Sequence, residues 1–182
     1  TLAAEVVDGE VVRLSFDAIS PFMVFERAPW YLSSAWLLPA LLAGLVVLVI
    51  TALSWPAGWI ARRRYGAKLA FAGRDLKAYR LVRGFSGLVA LVLIGWAVAL
   101  GVMMSDLALL SGQLDWLVWL LQIAGFVGFL GLFGIALWHL WLVWKGKRGW
   151  FSKLWSVLIF LAALVALWVA IGFNLLSFGT SY

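Results

Sequence analysis

The sequence has no cysteine and only one histidine, His139. The first absence removes thiol catalysis, thiolate metal sites and disulfides. The second excludes paired histidine ligation of haem and histidine-rich zinc sites. Charge is scarce too: Asp, Glu, Lys and Arg make up 12% of the 182 residues, against about 25% in soluble domains. GxGxxG, P-loop, HExxH and GxSxG patterns are all missing. So are Ser-x-x-Lys, Lys-Thr-Gly and His-x-Gly. No catalytic residue, metal site or cofactor is expected within the chain.

What is present is apolar. Hydrophobic residues make up 65% of the chain, mean hydropathy is +1.05, and there are 13 tryptophans and 12 phenylalanines. Four long apolar stretches run from about Ala35 to Ile60, Phe85 to Leu109, Asp115 to Trp144 and Leu154 to Phe178. Each exceeds the roughly 20 residues that a helix needs to cross a hydrocarbon core. Backbone facing lipid must satisfy its own hydrogen bonds, and these runs are too long and uniform for barrel strands. The expected fold is an all-α integral membrane four-helix bundle over residues 32–182.

Residues 1–31 differ. Asp8-Gly9 between β-branched runs is a type I′ hairpin signal, predicting a short β segment followed by a connector from Asp17 to Tyr31. The chain opens on Thr1 with neither a methionine nor a signal peptide. The expectation is a piece of a longer protein, with the β segment as the tail of a preceding domain.

The basic residues set an expected orientation. Arg62, Arg63, Arg64, Lys68, Arg74, Lys77, Arg80 and Arg83 lie between the first two stretches. Lys145, Lys147, Arg148 and Lys153 lie between the last two, leaving only Arg13 and Arg27 elsewhere. The positive-inside rule puts both basic connections in the cytoplasm and both termini outside. Trp55, Trp59, Trp138, Trp141, Trp144, Trp150 and Trp155 would mark the inner surface, and Trp30, Trp36, Trp116 and Trp119 the outer one. Trp96 and Trp168 fall mid-span, where packing is the simpler role. The basic run suits anionic lipid as well as topology. Its short tether to the bilayer makes nucleic acid a poor partner.

Three features suggest packing contacts. Gly125, Gly128, Gly131 and Gly134 keep one ridge of the third helix bare, for a neighbour in the bundle or a homo-oligomer seam. Gln122 and Asn174 fall at similar depth on the third and fourth helices and could pair as interhelical amides. His139 reads as an interfacial side chain between Trp138 and Trp141, with a proton relay as the alternative. The four stretches hold no Glu, Lys or Arg, and their two aspartates, Asp106 and Asp115, fall at the ends, so transport has little support.

One region resembles a known family. The residues are Val6-Val7-Asp8-Gly9-Glu10-Val11-Val12-Arg13-Leu14-Ser15-Phe16, Ser20-Pro21-Phe22 and Ala28-Pro29-Trp30-Tyr31. Trp36-Leu37-Leu38-Pro39, Ser54-Trp55-Pro56 and Arg62-Arg63-Arg64-Tyr65-Gly66 continue it. Together they resemble the C-terminal membrane region of bacterial serine hydrolases of the class C β-lactamase and penicillin-binding-protein-like family. The resemblance spans most of Val6 to Gly66; beyond that only hydropathy and basic loops agree. It implies a membrane anchor in the bacterial cytoplasmic (inner) membrane, positioning an extracytoplasmic hydrolase domain that precedes Thr1. No catalytic residue carries over, because none of the family's motifs falls in this chain. The rival readings are a non-catalytic subunit of a membrane complex and, third, a small transporter.

Overall fold

The structure is a computed structural model and describes residues 2–7, 10–16, 24–26, 29–66, 73–105, 115–146 and 148–176. The chain divides into two compact units, Thr1–Leu37 and Leu38–Tyr182.

In the first unit, β1 (Leu2–Val7), β2 (Glu10–Phe16) and β3 (Val24–Glu26) form an antiparallel sheet in the order β1-β2-β3. Leu2 pairs with Phe16 and Val7 with Glu10, with an irregularity between Glu5 and Val6. Arg13 pairs with Glu26. The turn at Asp8-Gly9 lies outside the described residues. β3 corrects the reading of Asp17 to Tyr31 as connector throughout: its Val-Phe-Glu adds a third strand to β2. A 3₁₀ turn, Trp30–Leu32, then leads into the first long helix. Trp36 Nε1 donates to the Trp30 carbonyl at 2.8 Å, closing that turn.

Four helices follow: α1 (Ser34–Tyr65), α2 (Gly73–Ser105), α3 (Asp115–Lys145) and α4 (Trp150–Gly172). All four are long and apolar enough to cross a membrane. Their exposed faces are apolar in mid-helix, with Leu53 60%, Leu91 70% and Leu161 48% accessible. Contiguous greasy surface of that kind marks a face made for something other than water, and on helices of this length a lipid bilayer suits it. Leu48, Val82, Val89, Phe129, Leu132 and Ile159 fill the interior completely. α3 is the central element, packed extensively along both α2 and α4.

Four helix boundaries depart from the hydropathy reading. α1 continues beyond Ile60 to Tyr65, so Arg62, Arg63 and Arg64 occupy its last turn. There they complement the negative end of the helix dipole. Gly66 then takes φ 64, a left-handed geometry that suits glycine after a helix. α2 begins at Gly73 rather than Phe85, so Arg74, Lys77, Arg80 and Arg83 are helical. Hydropathy locates where a helix enters lipid; it is blind to turns that precede entry. Lys68 and the stretch from Asp106 to Leu114 lie outside the described residues. α4 runs from Trp150 and stops at Gly172 rather than Phe178. Asn174 sits beyond it with φ 53, a left-handed conformation that asparagine tolerates better than most residues.

Candidate functional site

The glycine row of α3 faces α2. A methyl group built on Gly131 would overlap the Phe85 ring, and one on Gly128 would stand 3.3 Å from Val89 Cγ2. On Gly125 it would meet Val92 Cγ1 at 3.5 Å and Phe129 Cε2 at 3.2 Å. The α2 partners descend 92, 89, 85 as the α3 glycines ascend, which is the register of antiparallel neighbours. Gly95 extends the seam: a methyl there would lie 2.7 Å from Leu121 Cδ2. Gly134 differs, with nothing within 4 Å of a built methyl among the described residues. The ridge drifts as it climbs, because a spacing of three lags a turn of 3.6 residues.

Gln122 is 4% exposed on α3, whereas Asn174 is exposed beyond the end of α4. Asn174 is therefore not a helix-four residue, as its hydropathy suggested.

A polar cluster gathers at the basic end of the bundle, and hydropathy did not reveal it. On α1, Thr51 Oγ1 donates to the Val47 carbonyl at 2.7 Å, and Ser54 Oγ to the Thr51 carbonyl at 2.6 Å. Both oxygens also accept from other helices. Trp155 Nε1 of α4 donates to Thr51 Oγ1 at 3.1 Å. Arg83 Nε of α2 donates to Ser54 Oγ at 3.0 Å. Arg83 Nη1 further donates to the Tyr79 carbonyl at 3.2 Å, and its guanidinium lies 3.5 Å from the Tyr79 ring centroid. Thr51 and Ser54 thus join α1 to both α2 and α4. The available signal was Thr-x-x-Ser, which puts two hydroxyls on neighbouring turns of one face.

The cluster corrects one expectation and extends another. Arg83 is not a solvated loop cation but a half-buried one, bonded into the helix bundle. Trp155 is half-buried and bonded to Thr51, so it is a tether between helices as well as a tryptophan at the basic end. Three of the other inner tryptophans, Trp59, Trp141 and Trp144, lie against cations. Arg63 Cζ stands 5.4 Å from the Trp59 centroid, and Lys145 Nζ 4.3 Å from that of Trp141. Trp96 is half-buried, but Trp168 is 46% exposed and faces outward.

His139 is 9% exposed, packed within the bundle, and its Nδ1 has no hydrogen-bond partner among the described residues. It lines a cavity of about 150 Å³ with Tyr79, Arg83, Arg148, Ser152 and Trp155. Arg148 Nη2 is 3.1 Å from Asp75 Oδ1, tying the segment before α4 to the start of α2. That ion pair places the two basic segments at one end of the bundle. A second hollow, about 290 Å³, is lined by Leu137, Leu140, Trp141, Trp144 and Val157 and contains no charged side chain.

Among the described residues, no group of three or more His, Asp or Glu could hold a metal ion. The bonded serine hydroxyls near the basic end meet a guanidinium or a main-chain carbonyl: Ser54 as above, and Ser156, which donates to the Lys153 carbonyl at 2.7 Å. Neither arrangement supplies a general base to a nucleophile. No family model, curated protein or solved structure matches the chain.

Proposed function

We propose that the helical unit is a membrane anchor, and that it positions an extracytoplasmic serine hydrolase domain carried on its N-terminal side. The observation that carries the anchoring half is the division of each helix into two faces. Outward, leucine, valine and isoleucine are exposed in mid-span. Inward, alanine, leucine and phenylalanine close the core, with Phe129, Leu132, Ala136 and Ala163 at 1% exposure or less. Ionisable side chains that relay ions through transporters face a bundle interior or a wet path. Here the buried residues between α2, α3 and α4 include the polar Ser86, Gln122, His139 and Ser156 but no Asp, Glu, Lys or Arg, and the basic groups collect at one end. The hydrolase half rests on the resemblance over Val6 to Gly66.

In this reading the basic end is cytoplasmic and both termini are extracytoplasmic, with the three-stranded sheet on the outside. The chain is free of cysteine, so single cysteines at Gly112 and at Ala67 report topology cleanly. In intact cells an impermeant thiol reagent should label the Gly112 site and spare the Ala67 site. The reverse pattern overturns the orientation. For the hydrolase, the native protein is tagged at the C-terminus of its chromosomal copy, and membranes are treated with a fluorophosphonate and a fluorescent penicillin. The tagged species should carry label from one of them. If neither labels it, the hydrolase reading fails, while the anchor reading stands on topology alone.

A further inference from the structure

The cavity at the basic end has a composition that the anchoring role does not require. We propose that it is a headgroup site for one anionic phospholipid, with the lipid phosphate held between Arg83 and Arg148. Four observations point there.

First, two guanidiniums from different segments, one on α2 and one just before α4, line the same cavity of about 150 Å³. Guanidinium is the side chain best matched to a phosphate, offering several N–H donors in a planar fork. Arg83 spends one N–H on Ser54 and one on the Tyr79 carbonyl, out of five. Those two bonds and the stacked Tyr79 ring hold the group in place without exhausting its donors.

Second, the cavity has a buried polar atom with no partner. His139 Nδ1 lines it from α3 and makes no hydrogen bond among the described residues. Leaving a buried polar group without a partner is unfavourable. A phosphate oxygen or its bound water meets that need.

Third, the first turn of α4 opens at the cavity. Phe151 and Ser152 line it, and Gly149 at the N-cap provides no side-chain cap. The positive end of the α4 dipole therefore favours an anion there.

Fourth, the site lies where a lipid phosphate lies. The same end carries Arg62, Arg63 and Arg64 in the last turn of α1, and the Lys145–Trp141 and Arg63–Trp59 pairs. Lys and Trp of this kind settle at the headgroup level. The remaining wall, Val143, Phe151 and Ile159, is apolar, and Phe151 is 73% exposed. Val143 and Ile159 are buried, so the acyl chain of a headgroup held at the guanidiniums would pack on Phe151 at the cavity mouth. A free phosphate would use the same cationic groups but gain nothing from the apolar wall. The hollow around Trp141 and Trp144 lacks charge and serves as an internal contrast.

The test is native mass spectrometry of the delipidated protein in detergent. It is titrated separately with phosphatidylglycerol, phosphatidylcholine and inorganic phosphate. The expected result is one retained phosphatidylglycerol, with phosphatidylcholine retained far less and inorganic phosphate displacing the lipid only weakly. Arg148→Gln removes a charged partner and should weaken retention about tenfold or more. Arg83→Gln should do the same if it melts as a folded protein. Arg148 flanks α4 rather than lying in a helix but pairs with Asp75, so Asp75→Asn, which breaks that pair and keeps the cation, is the companion variant and should retain the lipid. Arg63→Gln alters an exposed cation at the same end but outside the cavity, and should leave retention unchanged. Equal loss in Arg63→Gln and Arg148→Gln would mean diffuse surface charge and overturn the site. Equal retention of the two lipids would overturn the headgroup assignment. Strong binding of inorganic phosphate without lipid retention would replace the lipid with a soluble anion. None of these outcomes bears on the hydrolase, which is tested by its own label.

Discussion

Between α2 and α3 the helices meet over glycine: Gly125, Gly128 and Gly131 lie against Val92, Val89 and Phe85. α1 meets α2 and α4 partly through nitrogen and oxygen, with Thr51 and Ser54 accepting from Trp155 and Arg83. The difference reflects what lipid leaves available as a driving force. Water supplies no hydrophobic pull between helices already in hydrocarbon, so they associate by close packing or by interhelical hydrogen bonds. Mid-span, polar groups are costly and small residues let backbones approach. Near the headgroups a cation can keep contact with water, and polar bonds become practical. α1 uses close approach as well: a methyl on its Gly44 would stand 3.4 Å from the Ala162 Cα of α4, and one on Gly87 of α2 3.5 Å from Ala52 Cβ.

The contrast can be broken from either side. The largest effect is expected for Gly131→Leu, which forces a branched side chain into the Phe85 ring. Overpacking of a tight contact typically destabilises by about 1–3 kcal/mol. Thermal melting in detergent should fall clearly, and adding Phe85→Ala should restore part of the loss. Gly134→Leu is the control one turn on, and should melt as wild type does. If Gly134→Leu melts as low as Gly131→Leu, the seam against α2 is not what the glycines serve. If Gly131→Leu instead loses only a dimer while the monomer melts normally, the ridge is an oligomer seam.

A smaller loss is expected for Trp155→Phe. It keeps the ring but removes the donor to Thr51, which goes on donating to the Val47 carbonyl. Interhelical bonds of this kind average about 0.6 kcal/mol in membrane proteins. A double-mutant cycle with Thr51→Val should give a coupling of that size, and additive effects would remove Trp155–Thr51 as a tether. The smallest effect concerns Gln122 and Asn174. A cycle of Gln122→Leu with Asn174→Ala should give at most about 0.6 kcal/mol of coupling if the amides pair. With Asn174 beyond α4, additivity within error would assign Gln122 to contacts on its own helix or its neighbours.

Much of the bundle was legible in hydropathy. α3 was read as Asp115 to Trp144 and runs Asp115–Lys145. Its ends were clear because charged residues bracket an unbroken apolar run. α2 was misread by three turns, because Arg74 to Arg83 is a helix whose polarity looks like a loop. The β segment shows a similar gap: Asp8-Gly9 signals a turn, but nothing local in Val24–Glu26 says that it adds to β2. The site was less legible still. His139, Arg83, Arg148 and Trp155 come from three helices and one connection, and no spacing in the chain links them. The glycine row was visible as a row, but its direction was not: a period of three says that a face is bare, not which neighbour covers it.

The sequence by itself determined that four helices form, roughly where they enter lipid, and that the basic groups gather in two connections. Those follow from transfer free energies summed along a single segment, which need no partner to be evaluated. The tertiary structure alone decided that Phe85 fills the groove at Gly131, that Arg83 turns inward to Ser54, and that His139 and Arg148 share a cavity. Each of these depends on which helices become neighbours and how they are rotated. That rotation is set by contacts between residues far apart in the chain, 104 positions in the case of Thr51 and Trp155. No property of one segment fixes it.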